Sequence, residues 1–176
     1  CLANDGTFKW RKGRNASISG YGSTGSGNGE FYYANGITQG PDGNLYVADR
    51  YNHRVQVLDK NGTFIKKFGE NGSAPGQLND PRDLIFLPDG RLIVGDSSYL
   101  NYFDSNGTFI NRTNSSSAKQ YVSLAPDGSI WSYQRLRDSG GNQIVQQSTI
   151  SNGSRTAFTP EGDLIESGRS KLRLWK

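Results

Sequence analysis

Few residues in this chain of 176 residues are able to do acid–base, metal or thiol chemistry. It contains one histidine, His53, and one cysteine, Cys1. A protein zinc site takes three or four ligands, mostly from Cys, His and carboxylates, and nucleophilic catalysis needs a nucleophile beside a base. A single imidazole does not build a multi-histidine metal centre, and no catalytic set can be assembled around it. The sequence therefore predicts a protein without enzymatic activity, bound metal or cofactor.

Repeated aspartates are the next candidates. Asp42, Asp89 and Asp127 each stand between proline and glycine, where recurring carboxylates could line a cation site. Asp before Gly is also ordinary turn chemistry, and we favour that interpretation. Asp49 and Asp96 recur after a short apolar run, and we expect them to bind their own backbone or Arg54.

Asparagines are unusually often placed for N-glycosylation. Chance predicts roughly two or three Asn-X-Ser/Thr triplets for this composition, whereas seven are present. All seven fall in predicted turns or loops, where a glycan is tolerated. The pattern predicts a secreted, extracellular glycoprotein with Asn61, Asn106 and Asn111 as the best sites, and the full set is Asn15, Asn61, Asn71, Asn106, Asn111, Asn114 and Asn152.

Cys1 has three interpretations: a chain boundary, a partner in an intermolecular disulfide, or the lipid-bearing first residue of a bacterial lipoprotein. No basic-then-apolar signal segment is present, and no stretch approaches the ~18 apolar residues that a membrane-spanning helix needs. The chain starts at Cys1 rather than Met, so we expect a mature, trimmed or excised piece.

An internal repeat organises the chain. The segment Gly40–Asp49 (GPDGNLYVAD) returns as Leu87–Asp96 (LPDGRLIVGD), and weaker copies follow at Ala125–Gln134 and Thr159–Gly168. At an offset of 47, ten of 31 aligned pairs between Tyr21–Tyr51 and Phe68–Ser98 are identical. Self-similarity of this period is typical of solenoids and propellers, in which each repeat is one supersecondary unit.

One repeat predicts four short β-strands. Pro41–Asn44 is a turn that separates Ile37–Gln39 from the β-rich run Leu45–Ala48. Arg54–Leu58 alternates apolar and polar residues, as in a half-buried strand. Asn61-Gly62 predicts a type I′ hairpin turn, and Thr63–Phe68 follows as the outer strand. Four strands per ~44 residues is the pattern of a propeller blade.

These residues resemble the NHL-repeat β-propeller family. Ile37–Leu84 carries nearly the whole consensus, including Asp49 and the run Asn52-His53-Arg54-Val55. The resemblance implies an all-β propeller in which Asp49, Asn52, His53 and Arg54 are structural signature residues. The second copy departs from the pattern, because Ser97–Leu100 replaces the Asn-His-Arg element. Lyases of similar fold use several histidines around zinc, which this chain lacks.

The repeat count predicts a single domain, 1–176, of four four-stranded blades, with blade turns at 41–44, 88–91, 126–129 and 160–163. The last copy ends at Leu172–Trp175 without an outer strand, and Leu2–Phe8 matches the missing strand. We therefore expect the N-terminal strand to close the last blade; the alternative is part of a larger six-bladed ring or a tandem array. Arg11–Gly20 and Asn111–Lys119 are predicted to be solvated loops.

Three functions follow as hypotheses. The first is a non-catalytic extracellular module for protein contact or structural assembly, which binds a protein partner or self-associates through its faces or terminal strands. The second is an RNA-binding propeller, although a net charge of +4 without a basic stripe does not favour nucleic acid. Its candidate basic and stacking residues are Arg11, Lys12, Arg14, Lys66, Lys67, Arg135, Arg137, Tyr21, Tyr32 and Tyr33. The third is a fragment of a propeller lyase or hydrolase.

Overall fold

The computed structural model describes residues 25–114, 121–132, 135–146, 155–167 and 172–175. These residues form β-strands in four antiparallel sheets, together with one short 3-10 turn at Arg50–Asn52. The all-β prediction is confirmed. No helix in these ranges is long and apolar enough to cross a membrane.

The first sheet shows the repeat in full, because its four strands pair in chain order. Neighbouring strands are antiparallel, with Ile37 opposite Val47 and Val47 opposite Gln56. The strands are β1 (Ala34–Gln39), β2 (Leu45–Asp49), β3 (Arg54–Leu58) and β4 (Phe64–Phe68).

The other three sheets repeat this order. The second contains β5 (Asp83–Phe86), β6 (Leu92–Gly95), β7 (Tyr99–Phe103) and β8 (Phe109–Asn114). The third contains β9 (Val122–Leu124), β10 (Ile130–Ser132), β11 (Arg135–Arg137) and β12 (Gln143–Gln146). The fourth has three described strands, β13 (Arg155–Phe158), β14 (Leu164–Ser167) and β15 (Leu172–Trp175).

The predicted turn between the first two strands is present in the first sheet. Gly43 has a φ of +76°, which glycine adopts without steric cost, and its N–H donates to the carbonyl of Gly40 at 2.9 Å. Asp42 accepts the backbone N–H of Asn44 at 3.1 Å. The same N–H bond recurs at Gly90, Gly128 and Gly162.

Two local predictions for the first repeat are wrong. All five residues of β3 are buried, so this strand is not half-buried. Its apolar side chains enter a core, while Arg54 and Gln56 bind polar groups of the segment 25–30.

The hairpin after β3 also differs from the expected one. A type I′ turn needs a positive φ at both central residues, whereas Gly62 has +79° and Asn61 has no positive φ. The N–H of Gly62 donates to the carbonyl of Asp59, and the N–H of Asp59 donates to the carbonyl of Thr63, so Gly62 and Thr63 together oppose Asp59. Asp59 accepts the N–H groups of Asn61 and Thr63, which favours this turn with its glycine bulge over type I′.

A third correction concerns Asn111–Lys119. Residues 111–114 belong to β8 rather than to a loop, because Tyr102 pairs with Asn111 and Tyr99 with Asn114. The β-branched Thr113 suits this edge strand. Residues 115–120 and 11–20 lie outside the described residues.

The sheets pack in series around their first strands. β1 lies beside β5, β5 beside β9, and β9 beside β13. Three apolar clusters fill the spaces between successive sheets. They are formed mainly by Tyr46, Val57, Leu84 and Phe103, by Ile93, Leu100, Val122 and Ile130, and by Trp131, Leu136, Phe158 and Leu164.

Ring closure is the part of the prediction that stays open. Among the described strands, no comparable contact joins β13 to β1. The segment Leu2–Phe8, expected to complete the last sheet, lies outside the described residues. The four-blade closed ring therefore remains a prediction.

Candidate functional site

Asp49 is the centre of a buried polar network at the end of β2. Its side chain is fully buried, and its Oδ2 accepts from Arg54 Nε at 2.8 Å, Asn52 Nδ2 at 2.9 Å and Gln56 Nε2 at 3.0 Å. Its Oδ1 accepts the N–H of Tyr32 at 2.7 Å. The carboxylate thus fixes the chain that enters β1 and the turn that leaves β2.

The second repeat builds this network without an arginine. Asp96 is equally buried and accepts N–H bonds from Ser98 and Tyr99, both at 2.7 Å, and one from Asn101 Nδ2 at 3.0 Å. It also accepts the N–H of Asn79. The missing Asn-His-Arg element is therefore replaced by a tighter turn that presents more backbone donors.

His53 ends the 3-10 turn with a φ of +55°. Its Nδ1 accepts the N–H of Asp80 at 3.2 Å. The imidazole thus connects the first sheet to the segment that enters the second. Within the described ranges, no group of three or more His, Cys, Asp and Glu side chains is arranged to hold a metal ion.

An exposed aromatic cluster lies beside this network. Tyr32 and Tyr33 directly precede β1, and Tyr51 lies in the 3-10 turn between β2 and β3. Ring centroids are 5.1 Å apart for Tyr32 and Tyr51, 4.8 Å for Tyr33 and Tyr51, and 6.0 Å for Tyr32 and Tyr33. The three residues are exposed, with relative accessibilities of 40% for Tyr32, 64% for Tyr33 and 39% for Tyr51.

Backbone bonds hold the cluster together. The N–H of Tyr51 donates to the carbonyl of Tyr32 at 3.0 Å, and the N–H of Arg50 donates to the carbonyl of Tyr33 at 3.3 Å. Tyr33 itself has a φ of +57°, a left-handed conformation that is a genuine outlier for a bulky residue.

One arginine borders the rings, and a second shares its carboxylate partner. The guanidinium carbon of Arg50 lies 4.7 Å from the centroid of Tyr51, in cation–π geometry. Arg50 and Arg82 share one carboxylate, since Asp80 lies 2.7 Å from the first and 2.8 Å from the second. We call Tyr32, Tyr33, Tyr51, Arg50 and Arg82 the tyrosine–arginine surface.

The shared carboxylate shifts the ionisation of its neighbours. Burial alone would raise the pKa of Asp80, but the hydrogen bonds from Arg50 and Arg82 outweigh burial and hold that pKa below its ordinary value. The hydrogen bond to Asp80 in turn raises the pKa of Arg50. Two positive charges thus face one negative charge at this edge of the surface.

The opposite end of the sheets carries aspartates. In sheets of this order, the turns β1–β2 and β3–β4 lie at one end and the turn β2–β3 lies at the other. Six aspartates lie in the turns that correspond to β1–β2 and β3–β4, and each accepts a backbone N–H bond within its own turn. These residues are Asp42, Asp59, Asp89, Asp104, Asp127 and Asp138.

A cavity of about 440 Å³ opens at this acidic end. Asp89, Asp127 and Asp138 contribute to its wall, together with Leu87 and Ile144. All three carboxylates bind groups beside them, which are Arg91, Ser129 and Asn142. The wall is thus built from turn-capping groups.

The sequence-predicted glycan acceptors are accessible where the structure describes them. Asn61 and Asn106 lie in hairpins, Asn71 lies in the connection from β4 to β5, and Asn111 and Asn114 lie on β8. All five are exposed. Asn111 and Asn114 contradict the expectation that every such triplet lies in a turn or loop, because the strand extends through them. Asn15, Asn152 and Cys1 lie outside the described residues.

Of the basic residues in the RNA hypothesis, the three whose side chains the structure describes do not form one surface. Arg137 is buried, with Nη1 donating to the carbonyl of Gly141 at 2.8 Å. Lys66 and Lys67 alternate on the outer strand β4, and Lys66 donates to the carbonyl of Ser105 at 3.2 Å. Arg11, Lys12, Arg14 and Tyr21 lie outside the described residues, as does the side chain of Arg135.

Sequence reasoning named Tyr32 and Tyr33 but missed Tyr51, Arg50 and Arg82 as their neighbours. Tyr51 is 18 positions from Tyr33, and only the pairing of β1 with β2 brings the two together. One signal was present in the sequence, because the offset of 47 aligns Tyr33 with Asp80, the residue that pairs with Arg50 and Arg82.

Comparison with known proteins supports the assignment of the repeat. Residues 31–58 match the family model of the NHL repeat. The RING finger protein nhl-1 of Caenorhabditis elegans is 44% identical over 89 residues, which cover 50% of this chain and 9% of that protein. The protein brain tumor of Drosophila melanogaster is 31% identical over 96 residues, which cover 52% of this chain and 9% of that protein. The chain spans about a tenth of the length of these relatives.

A solved structure of virginiamycin B lyase from Staphylococcus aureus has a similar fold. The TM-score is 0.61 at 11% identity, and the match covers 80% of this chain and 54% of the lyase chain. At this identity the likeness concerns the fold alone. The predicted family resemblance is confirmed: the chain carries an NHL repeat at residues 31–58, in a fold of the β-propeller kind.

Proposed function

We propose that this chain is a non-catalytic extracellular binding module, and that it contacts a protein partner through the tyrosine–arginine surface. The observation that carries this proposal is the contact of three exposed tyrosine rings beside Arg50. Tyrosine and arginine are enriched in protein interfaces and dominate their binding hot spots.

The scaffold beneath these side chains supports the proposal. Asp49 fixes the backbone of Tyr32 at 2.7 Å, and the 3-10 turn fixes Tyr51. A surface that is ordered before binding loses less conformational entropy when a partner arrives. The rings therefore lie on a preformed base.

The partner is tested by affinity capture from secreted and cell-surface proteins, with the chain immobilised as wild type and as two variants. Tyr51→Ala removes the central ring, and we expect the captured proteins to decrease at least about tenfold, as for a hot-spot truncation. Ile65→Asn changes an exposed side chain on β4, away from the surface, and serves as the control. Equal capture by wild type and Tyr51→Ala would contradict the proposal.

The same immobilised variants, incubated with total cellular RNA as well, distinguish the RNA alternative. If the retained material is single-stranded RNA that depends on Tyr51 and dissociates with rising salt, nucleic acid is the ligand. Arg137 is buried and Lys66 donates to a neighbouring sheet, so we expect protein instead.

The exposure of the predicted N-glycosylation sites is consistent with the extracellular part of the proposal. Asn61, Asn71, Asn106, Asn111 and Asn114 are exposed, as an oligosaccharyltransferase product requires. We expect the chain, secreted from eukaryotic cells, to lose mass on treatment with a peptide N-glycosidase.

Substitutions then locate the glycans. Asn106→Gln and Thr108→Ala should each remove the same glycan mass, because both destroy one triplet. Asn28→Gln changes an exposed asparagine outside any triplet and should leave the mass of the glycans unchanged. A secreted chain of unmodified mass would contradict the prediction of N-glycosylation.

A further inference from the structure

Tyr33 has a backbone conformation that its residue type does not favour. Its φ of +57° is disfavoured for a bulky side chain, and its ring remains 64% exposed. Strained backbone of this kind concentrates at functional sites, so an observed outlier motivates a hypothesis of function.

The second repeat shows what the backbone alone requires here. Asp80 occupies the equivalent position with a φ of +62°, and aspartate tolerates the left-handed region better than most residues. The N–H of the preceding residue binds the buried carboxylate in both repeats, from Tyr32 to Asp49 and from Asn79 to Asp96. The conformation therefore belongs to the repeat, whereas the tyrosine is particular to the first copy.

The charges beside the rings favour an anionic ligand group. Arg50 and Arg82 face the single carboxylate of Asp80, so one positive charge is left over within this group of three. A cationic ligand would bind over the face of a tyrosine ring. The guanidinium of Arg50 already lies over Tyr51 and would repel it.

The rest of the molecule reinforces this preference. Six aspartates recur in the turns at the opposite end of the sheets. These carboxylates make that end less favourable for an anionic ligand than the arginine beside the rings.

The arrangement of the rings favours a peptide over nucleic acid. The three rings contact one another at interplanar angles of 51–76° and form one compact platform. A single strand needs separated ring faces on which successive bases stack. A platform of touching rings instead suits one apolar side chain or proline, as in aromatic grooves that bind peptides.

We propose that the tyrosine–arginine surface binds an acidic peptide segment, with an apolar side chain on the three rings and a neighbouring carboxylate paired with Arg50 or Arg82. This inference rests on the proposed function, because it specifies the chemistry of the protein partner. The carboxylate shares the two guanidiniums with Asp80.

Fluorescence anisotropy tests the proposal with three labelled probes. They are a short peptide that alternates leucine with glutamate, the same peptide with lysine in place of glutamate, and oligouridine. We expect the leucine–glutamate peptide to bind best and its affinity to fall as ionic strength rises. Tighter binding of the lysine peptide or of oligouridine would overturn the proposal, as would failure of the acidic peptide to bind.

Variants then place the peptide on the surface. Tyr33→Asn and Arg50→Gln should each weaken binding at least about tenfold, whereas Ile65→Asn should bind like wild type. Asparagine adopts the left-handed region readily, so Tyr33→Asn should keep the wild-type urea midpoint. Binding that survives Tyr33→Asn with the fold intact would overturn the proposal.

The capture experiment separates failure of the proposed function from failure of the acidic-peptide proposal. If Tyr51-dependent protein capture persists while the acidic peptide does not bind, the acidic-peptide chemistry is wrong and the binding module stands. If the acidic peptide binds at Tyr33 but no protein is captured, the proposal of an extracellular protein partner is wrong.

Discussion

Arg54 has its guanidinium almost completely withdrawn from solvent, with a residue exposure of 5%. Nε binds Asp49, and Nη1 binds the carbonyl of Ser26 at 2.8 Å. Nη2 binds the carbonyls of Gly27 at 2.8 Å and Glu30 at 3.0 Å. One side chain thus neutralises a buried carboxylate and anchors the segment that carries the tyrosines.

Replacing Arg54 with alanine should destabilise the fold strongly. Removal of one partner leaves the charge of Asp49 buried and unpaired, a change that typically costs about 3–5 kcal/mol. We expect the free energy of unfolding from urea denaturation to fall by that amount.

The control for this change is Arg91→Ala. Arg91 pairs with Asp89 at 2.6 Å, but their side chains are 27% and 48% exposed, and such pairs contribute about 0–1 kcal/mol. Similar losses in the two variants would contradict the role given to the buried pair.

Individual residues were predictable where repetition marked them. Asp49 and Arg54 stand in the repeat signature, and their contact follows from the pairing of β2 with β3. The tyrosine–arginine surface was not predictable in the same way. Tyr33 and Tyr51 come from different connections, and their proximity depends on backbone bonds between loops. Arg82 comes from a third connection and is linked to Arg50 through Asp80.

At the level of elements, the hairpins also serve as contacts between sheets. Gly107 lies in the β7–β8 hairpin with a φ of +88°, and a Cβ there would lie 2.5 Å from the ring of Phe68 on β4. Gly43 has a similar φ of +76° in the β1–β2 turn, but a Cβ there would meet nothing within 4 Å.

This pair of glycines separates strain from packing. Gly43→Ala should cost about 1–2 kcal/mol, for left-handed backbone alone. Gly107→Ala should cost about 1–3 kcal/mol more, because the added methyl group overpacks the contact with Phe68. Urea denaturation of both variants measures the difference, and equal losses would show that the hairpin does not press against the first sheet.

The elements themselves were largely predictable from turn chemistry. Pro-Asp-Gly fixes the β1–β2 turn, and the strands on each side follow from β-rich runs. Prediction failed where tertiary contacts decide the outcome. Arg54–Leu58 looks half-buried in sequence but is covered on both faces, and residues 111–114 look like loop but pair with β7.

For the whole molecule, the turn aspartates predict acid sensitivity. Hydrogen bonds from Thr108, Ser129 and Asn142 hold the pKa values of Asp104, Asp127 and Asp138 below the ordinary value of 3.8. A carboxyl group with a lower pKa in the folded state stabilises the fold above its unfolded pKa. That contribution is lost as the pH falls through the folded value.

We therefore expect the urea midpoint to stay constant from about pH 7 to about pH 5 and to decrease below about pH 4. Each aspartate is largely solvated, so the effect is the sum of small contributions. Asp104→Asn should make the acid-induced decrease shallower. A midpoint that stays flat or rises on acidification would refute the role of these turns.

The left-handed position shared by Tyr33 and Asp80 separates shape from identity within the repeat. In each copy the buried carboxylate of Asp49 or Asp96 accepts the backbone N–H of the preceding residue. The side chain at the left-handed position is therefore not needed to form the bend. One copy places a carboxylate there that holds two arginines, and the other places an exposed ring. After duplication, such a site is free to diverge, and each new repeat offers evolution a fresh position at which to change recognition without redesigning the fold.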